Sequence, residues 1–252
     1  MIDLFFHRSP NVEKVMILLE ETGLAYRLLP MSDMPGGHFA PSFLRISPNN
    51  KVPVIVDHAP EDGGEPLVVF ESAAILLYLA EKTGRYLTGD ARARSETLQW
   101  LMWQAAGLSP ISGQNGHFRH QAVEGDHPYA LARFHRELGR LYAVLDQRLK
   151  SRDYIVDDYG LADIACHPWI ATHRLQGIEL DAFEHVRRWY DRVNERPAVQ
   201  RAAAGYTPTP SARLDEAASE RRYRQTAEML RKAYAEMERI FPPAPRGEDT
   251  IR

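Results

Sequence analysis

The first third of the chain alternates short apolar runs with one amphipathic stretch. Four of the five residues 2–6 are apolar, and the run predicts a buried strand. From Val12 to Leu19, apolar residues recur at helical spacing, and Gly23 is a natural stop for that helix. A second strand is predicted over 25–31, at a sheet edge because it contains a proline, Pro30. This βαβ order predicts two parallel strands joined by a crossover helix.

The pattern then changes to a hairpin followed by a helix. Residues 32–48 are rich in glycine and proline and predict a loop. Strands are predicted from Val54 and over 67–70, with a turn at 60–64 between them, so these two strands should be antiparallel. Ser72 then begins a predicted helix that reaches Lys82.

After Gly84 the strand patterns end and helical periodicity takes over. Helices are predicted over 91–106, 128–149, 160–176 and 184–195, with a polar, Gly-rich loop over about 107–127. A further amphipathic helix is predicted over 212–241, followed by a tail. We therefore expect an α/β domain at 1–82, a linker at 83–90, an all-helical domain at 91–204, and an additional helix and tail at 205–252.

Composition and charge narrow the class of protein. The 252 residues are 44% hydrophobic and 26% charged, as in ordinary soluble proteins. The net charge of −3 gives no reason to expect a nucleic acid or an anionic membrane as partner. No apolar run is long enough to span a bilayer, and the N-terminus does not resemble a secretory signal. Cys166 is the single cysteine, so an intrachain disulfide is impossible, and we expect a reducing, cytoplasmic location.

One proline stands where a strand pattern disfavours it. In NNKVPVIVD, residues 49–57, Pro53 lies among β-branched strand formers, although proline cannot donate to a sheet ladder. The residues alone leave two interpretations open. Pro53 is either an ordinary trans proline at an edge, or a cis proline that leaves the backbone of Val52 free to pair with a ligand.

Four local sequences, in order along the chain, are similar to those of one known family. SPNNKVPVIVD, FESAAILLYLAEK, LQWLMWQ and DIACHPW resemble the bacterial nu-class glutathione transferases, also called the disulfide-bond oxidoreductase type and related to fungal nitrogen-regulator prion proteins. The resemblance covers residues 1 to about 204. It implies a thioredoxin-like α/β N-terminal domain followed by an all-α C-terminal domain, which is the glutathione transferase fold.

The resemblance also implies roles for particular residues. It favours the cis form of Val52-Pro53, with the Val52 backbone pairing with the tripeptide glutathione. A thioredoxin-like protein would carry its reactive cysteine near Ser9, where this chain has a hydroxyl. The resemblance assigns stabilisation of the glutathione thiolate to Asn11, with Ser9 assisting at the positive end of the first helix. From the residues alone, Ser9 is simply a helix cap.

The remaining implied contacts are to the two ends of glutathione. Glu71 and Ser72 would bind the γ-glutamyl amino and carboxylate groups, although the same pair also suits a plain helix start. Lys51 and His38 are candidates for the glycyl carboxylate, and an exposed loop histidine is the alternative for His38. Arg133 would reach a second glutathione, unless it is a solvated helix arginine.

The resemblance implies a glutathione-dependent disulfide-bond oxidoreductase that uses one or two glutathiones, or glutathione disulfide, as co-substrate and acts as a homodimer. Its other substrate would be a small-molecule disulfide or electrophile. Conjugation of small electrophiles is one alternative, and a non-catalytic regulator or binding module is another. We expect no metal, because the spacing of His117, His120 and His127 matches no common zinc pattern. Cys166, in an apolar helix, is expected to be a buried residue and not a nucleophile.

Overall fold

One four-stranded mixed sheet organises the N-terminal part of the chain. The structure is a computed structural model that describes residues 1–121, 127–204 and 227–242. The strands are β1 (Ile2–Phe6), β2 (Tyr26–Pro30), β3 (Val54–Asp57) and β4 (Leu67–Phe70), in the order β2-β1-β3-β4. β1 is parallel to β2 and antiparallel to β3, and β3 is antiparallel to β4. The predicted βαβ unit and hairpin are confirmed, and Pro30 lies on an edge strand as expected.

Three helices accompany the sheet: α1 (Pro10–Thr22), α2 (Pro41–Leu44) and α3 (Ser72–Thr83). The side chain of Ser9 accepts a hydrogen bond from the Val12 N–H, and Gly23 ends α1 in the left-handed conformation at φ 72°. The predicted loop over 32–48 was partly wrong, because the segment contains α2 and parts or all of two 3₁₀ turns, Met31–Asp33 and Gly37–Phe39. Phe43 on α2 is fully buried and packs with a small second core, which holds this segment in place.

The rest of the described chain is helical. Its helices are α4 (Ala91–Trp103), α5 (Ser109–His120), α6 (Pro128–Leu149), α7 (Leu161–Ala171), α8 (His173–Gln176), α9 (Glu184–Asn194), α10 (Pro197–Ala204) and α11 (Ala227–Ile240). The single helix predicted over 160–176 is thus two helices that meet at Thr172. The helix predicted over 184–195 ends before Pro197 as expected, and Pro197 begins a further helix that the pattern did not predict.

The predicted loop over 107–127 was wrong. A π-helical turn over Gln104–Leu108 continues α4 into α5, so that helical structure extends to His120. Small and polar residues lower helix propensity here, but tertiary packing overrides that preference. Asn115 is fully buried and its side chain donates to the Gln176 carbonyl at 2.8 Å. Gly113 lies beside the ring of Trp169, at a distance where an added Cβ would make ordinary van der Waals contact, 3.9 Å.

Helix α1 lies at the centre of the molecule. Its residues 12–19 are all buried, and it packs against α3, α7 and α10. Apolar residues of both halves belong to one continuous core. The start of α1 is therefore held at the junction between the α/β half and the helical half.

The helix predicted over 212–241 is described only from residue 227 onward; residues 212–226 and the tail from 243 lie outside the described ranges. Helix α11 packs on α2. The Tyr234 hydroxyl donates to the Pro48 carbonyl, and the Arg45 guanidinium lies 4.8 Å from the centre of the Phe241 ring. Across the three described ranges, no helix is long and apolar enough to cross a bilayer.

Candidate active site

A cavity of about 160 Å³ lies between the starts of α1 and α3. Six residues named from the sequence line it: Asn11, Lys51, Val52, Pro53, Glu71 and Ser72. Three lining residues were missed: Ser47, Asn49 and Phe70. Ser47 and Asn49 belong to SPNNKVPVIVD, and Phe70 begins FESAAILLYLAEK. Their membership of these two motifs could have identified them as candidates.

The segment before β3 presents free backbone groups to this cavity. The Val52-Pro53 peptide bond is cis, as the resemblance implied. In the described part of the chain, neither the N–H nor the carbonyl of Val52 has a hydrogen-bond partner. Ser47 fixes the neighbouring residue, because its hydroxyl donates to the Lys51 carbonyl at 2.8 Å and accepts from the Lys51 N–H at 3.3 Å. The cavity therefore has one donor and one acceptor in place to pair with an extended peptide.

The start of α3 forms the opposite wall. Glu71 adopts φ 69°, a left-handed conformation that is uncommon for a residue other than glycine and that occurs mainly at functional sites. Its carbonyl accepts from the Ile75 N–H, and its side chain accepts from Asn49 at 3.1 Å. Ser72 is the first residue of α3, where N–H groups lack intrahelical partners and favour an anion.

Asn11 lies in the first turn of α1, and its side chain is held by the helical half of the molecule. The Trp169 indole N–H donates to Asn11 Oδ1 at 3.2 Å, and the Ser109 hydroxyl donates to the same oxygen at 3.3 Å. Ser9, which caps α1, does not line the cavity. Pro10 has no N–H, and the Val12 and Glu13 N–H groups donate to Ser9. The remaining donors of this wall are thus the side-chain amino group and the backbone N–H of Asn11.

A buried cation lies one turn further along α1. Lys14 is fully buried, and its ammonium donates to Gln104 Oε1 at 2.8 Å. Burial lowers the pKa of Lys14 to about 8, while the negative charge of Glu71 acts in the opposite direction. In its charged form, Lys14 adds positive potential behind the cavity.

Two predicted ligands lie outside the cavity lining. His38 packs between the rings of His7 and Phe43, and burial, then the charge of His7, lowers its pKa. Arg133 is exposed and lines a different cavity, of about 320 Å³, with Arg136 and Arg140 on α6. The two cavities share no lining residue.

The other chemical candidates are accounted for by the fold. Cys166 is fully buried, as expected, and burial raises the pKa of its thiol. His117 and His120 lie in α5, and among the residues that the structure describes no group of three potential ligands could hold a metal. A larger cavity of about 350 Å³ lies around Tyr86 and Gly160, and no predicted site residue lines it.

A thioredoxin-like sheet joined to a helical bundle, with a cavity between two helix starts and a cis-proline segment, defines a protein of the glutathione transferase type. Family models described as the glutathione S-transferase N-terminal and C-terminal domains match residues 8–82 and 102–197. The chain belongs to the glutathione S-transferase family.

Individual relatives agree with this assignment. The chain is 51% identical over 203 residues to the disulfide-bond oxidoreductase YfcG of Escherichia coli, covering 80% of this chain and 94% of that protein. It is similar to a glutathione transferase from Pseudomonas putida solved with one glutathione disulfide per subunit, at 41% identity and a TM-score of 0.74, covering 80% and 90% of the two chains. A Pseudomonas fluorescens family member with two glutathiones bound gives the same identity and TM-score, covering 80% and 91%.

Proposed function

We propose that this protein is a glutathione-dependent disulfide-bond oxidoreductase in which the thiolate of bound glutathione is the nucleophile. The observation that carries the proposal is the cavity itself, where the free backbone of Val52 faces two helix starts. Its relatives support the same chemistry, since one is named a disulfide-bond oxidoreductase and others hold glutathione disulfide or two glutathiones.

Each part of glutathione has a complementary group in the site. The backbone of Val52 pairs with the tripeptide as a short added strand. Ser72 and the first N–H groups of α3 bind the γ-glutamyl carboxylate, and Glu71 binds the amino group. Lys51 binds the glycyl carboxylate. The sulfur then lies near Asn11, whose side-chain amino group donates to the thiolate.

Three predicted residues lie outside the cavity lining, and one of them, Ser9, takes a supporting role in the proposal. Ser9 assists through the cap of α1, which fixes the helix start next to the sulfur. His38 and Arg133 lie outside the lining of this cavity, so contacts of these two residues with the glycyl carboxylate and with a second glutathione remain predictions.

The reaction needs no cysteine of the protein. The thiolate of one glutathione attacks a sulfur of the substrate disulfide, forms a mixed disulfide and releases one substrate half, which takes up a proton. A second glutathione thiolate attacks the glutathione sulfur of that mixed disulfide, releasing the second substrate half and glutathione disulfide. Two glutathiones thus supply both electrons, in agreement with the burial of Cys166.

The same activated thiolate can attack an electrophilic carbon, so conjugation is the second candidate activity. Side-by-side assays with a small disulfide and a chloronitrobenzene separate the two. We expect faster turnover of the disulfide, and conjugation far exceeding reduction would reverse the assignment.

Two variants and a binding measurement test the site. Millimolar glutathione should raise the melting temperature of the native protein, because a ligand that binds only the folded state stabilises it. Asn11→Ala should lose most of the activity and keep its fold, while the control Asn194→Ala, at the exposed end of α9, should keep both. The absence of a thermal shift would favour a non-catalytic binding module, and full turnover by Asn11→Ala would remove Asn11 from the mechanism.

We further propose a cytoplasmic homodimer. Leu67 and Val68 on the edge strand β4 are exposed apolar residues, and a second copy of the chain would cover them. Sedimentation of the protein at several concentrations tests this, with Val68→Glu as the variant. A native protein of monomer mass at all concentrations would contradict the proposal.

A further inference from the structure

The Asn11 side chain is oriented by two residues of the helical half. Trp169 on α7 and Ser109 at the start of α5 both donate to its Oδ1, at 3.2 and 3.3 Å. They are separated from Asn11 in sequence by 158 and 98 residues. The contact therefore crosses the junction between the two halves of the molecule.

The chemistry of the indole group decides which end of the amide faces it. An indole N–H can only donate, so the Asn11 atom that it contacts must be the oxygen. The amino group of Asn11 is consequently the end that remains for the ligand. If the amide rotated by half a turn, its carbonyl oxygen would face the glutathione sulfur. The lone pairs of that oxygen would repel the thiolate, whereas the amino group in the observed orientation can donate a hydrogen bond to it.

Trp169 is itself held in place. Its ring packs near Gly113 on α5. Its carbonyl accepts from the side chains of Thr172 and Gln176, both at 2.8 Å, at the junction of α7 and α8. These bonds hold its backbone and its ring packs against the core, so its N–H is directed at Asn11 and orients the amide before glutathione binds.

We propose that Trp169, assisted by Ser109, is a positioning residue that sets the Asn11 amide for stabilisation of the glutathione thiolate, so that the helical half controls how strongly the thiol is ionised. This inference rests on the function proposed above and adds to it the residues that orient the donor.

Other charged groups near the cavity contribute to ionisation of the thiol without being part of this device. They are Lys14 on α1, Lys51 before β3, and Glu71 at the start of α3; Glu13 on α1 and His7 after β1 lie next to the same helix start. A change at Trp169 leaves all of them in place. The difference between the variant and the native protein therefore isolates the orientation of Asn11.

The main variant is Trp169→Phe, which removes the N–H and keeps an aromatic ring. The pKa of bound glutathione is measured from thiolate absorbance and from the pH profile of kcat/KM for the disulfide at saturating glutathione. We expect the pKa to rise by about one unit, so that kcat/KM falls about fivefold at the native pKa and up to about tenfold at lower pH, and recovers in alkali. Ser109→Ala should shift it in the same direction by less, and it keeps the inference testable if Trp169→Phe folds poorly.

Trp189→Phe is the matched control. It also removes a buried indole N–H, which donates to Asp163 at 2.7 Å and not to Asn11. This variant should lose stability and leave the pKa of bound glutathione unchanged. A shift as large as that of Trp169→Phe would show that general loosening of the helical half is the cause, and would overturn the inference.

A double variant decides whether Trp169 acts through Asn11. In an Asn11→Ala background, Trp169→Phe should cause no further shift in the pKa of bound glutathione, because the amide that it orients is gone. An equal shift in both backgrounds would refute the inference. If native protein neither binds glutathione nor lowers its thiol pKa, the proposed function fails instead, and that result is seen before any variant is made.

Discussion

Asp163 provides the sharpest test of how the helical half is held together. It is fully buried in the first turn of α7. Its Oδ1 accepts from the Ile155 N–H at 3.0 Å and from the Trp189 indole at 2.7 Å, while its Oδ2 accepts from the Gly160 N–H at 3.1 Å. This single carboxylate therefore joins the loop before α7, the start of α7, and α9.

Asp163→Ala should nearly abolish folding. It leaves three buried donors unpaired, each costing about 1–3 kcal/mol, and the sum of about 3–9 kcal/mol approaches the whole stability of a typical domain. Asp163→Asn should be much milder. Its carbonyl oxygen can serve Ile155 and Trp189 as before, and only the bond from Gly160 is lost, since the new amino group faces another donor.

The pH dependence separates charge from hydrogen bonding. Burial raises the pKa of Asp163 from 3.8 to about 6, against the effect of its hydrogen bonds. The folded state thus holds the proton more tightly than the unfolded state. Protonation of Asp163 therefore contributes about 3 kcal/mol to the free energy of unfolding. This contribution is fully present below pH 3.8 and is lost as the pH rises to about 6. Asp163→Asn has no such loss, so its deficit of about 1–3 kcal/mol in acid should vanish or reverse toward neutral pH.

Urea unfolding followed by far-ultraviolet circular dichroism measures these effects, provided that the denaturant slopes agree between variants. Equal midpoints for the alanine and asparagine variants would show that the three donors find other partners. If the free energy of unfolding of Asp163→Asn fell between acid and neutral pH as steeply as that of native protein, a group other than Asp163 would be the cause of the fall. Either result would refute the reasoning.

Three further predictions concern other parts of the chain. Burial raises the pKa of Glu13 from 4.5 to about 7, so the free energy of unfolding of native protein falls as the pH rises across that range. Glu13→Gln should therefore equal native protein in acid and exceed its free energy of unfolding by about 3 kcal/mol at and above neutral pH. Equal urea midpoints of the two proteins at all pH values would contradict this. Truncation after residue 208 should raise the KM for glutathione roughly threefold, because α11 supports α2 and Pro48 beside the cavity. Stability should fall little, because no residue of α11 is buried. Tyr234→Phe should reproduce part of the rise in KM, and an unchanged KM in both variants would show that α11 does not support the site. Cys166→Ala should keep full glutathione-dependent turnover, since the buried thiol takes no part, and loss of activity with the fold intact would implicate it.

The α/β half was largely predictable because its signals are local. Residues 2–6, 54–57 and 67–70 are short β-branched or apolar runs, and their strands formed there. Ser9 and Gly23 bounded α1 through their own capping chemistry. The motif around Val52-Pro53 likewise predicted one wall of the cavity, because residues adjacent in sequence set the geometry of that segment.

The helical half was harder to predict because its structure depends on distant partners. Residues 107–120 are polar and rich in glycine, which favours a loop when they are judged by propensity. They form a helix because Asn115 finds the Gln176 carbonyl and because their small side chains permit close packing with α6. Likewise, DIACHPW identifies the family, but nothing in it shows that the Trp169 indole reaches Asn11.

The lack of a reactive cysteine explains why such distant contacts matter for the chemistry. In an enzyme that uses its own cysteine as the nucleophile, the sulfur is covalently attached to the protein. Here the sulfur belongs to bound glutathione, and only noncovalent contacts position it. Small errors in donor placement are costly when reacting groups must be held in a narrow geometry. The backbone of Val52 places the peptide, but the donor to the sulfur is a side chain that could rotate. Holding Asn11 from α5 and α7 removes that freedom, and it makes the junction between the two halves part of the active site.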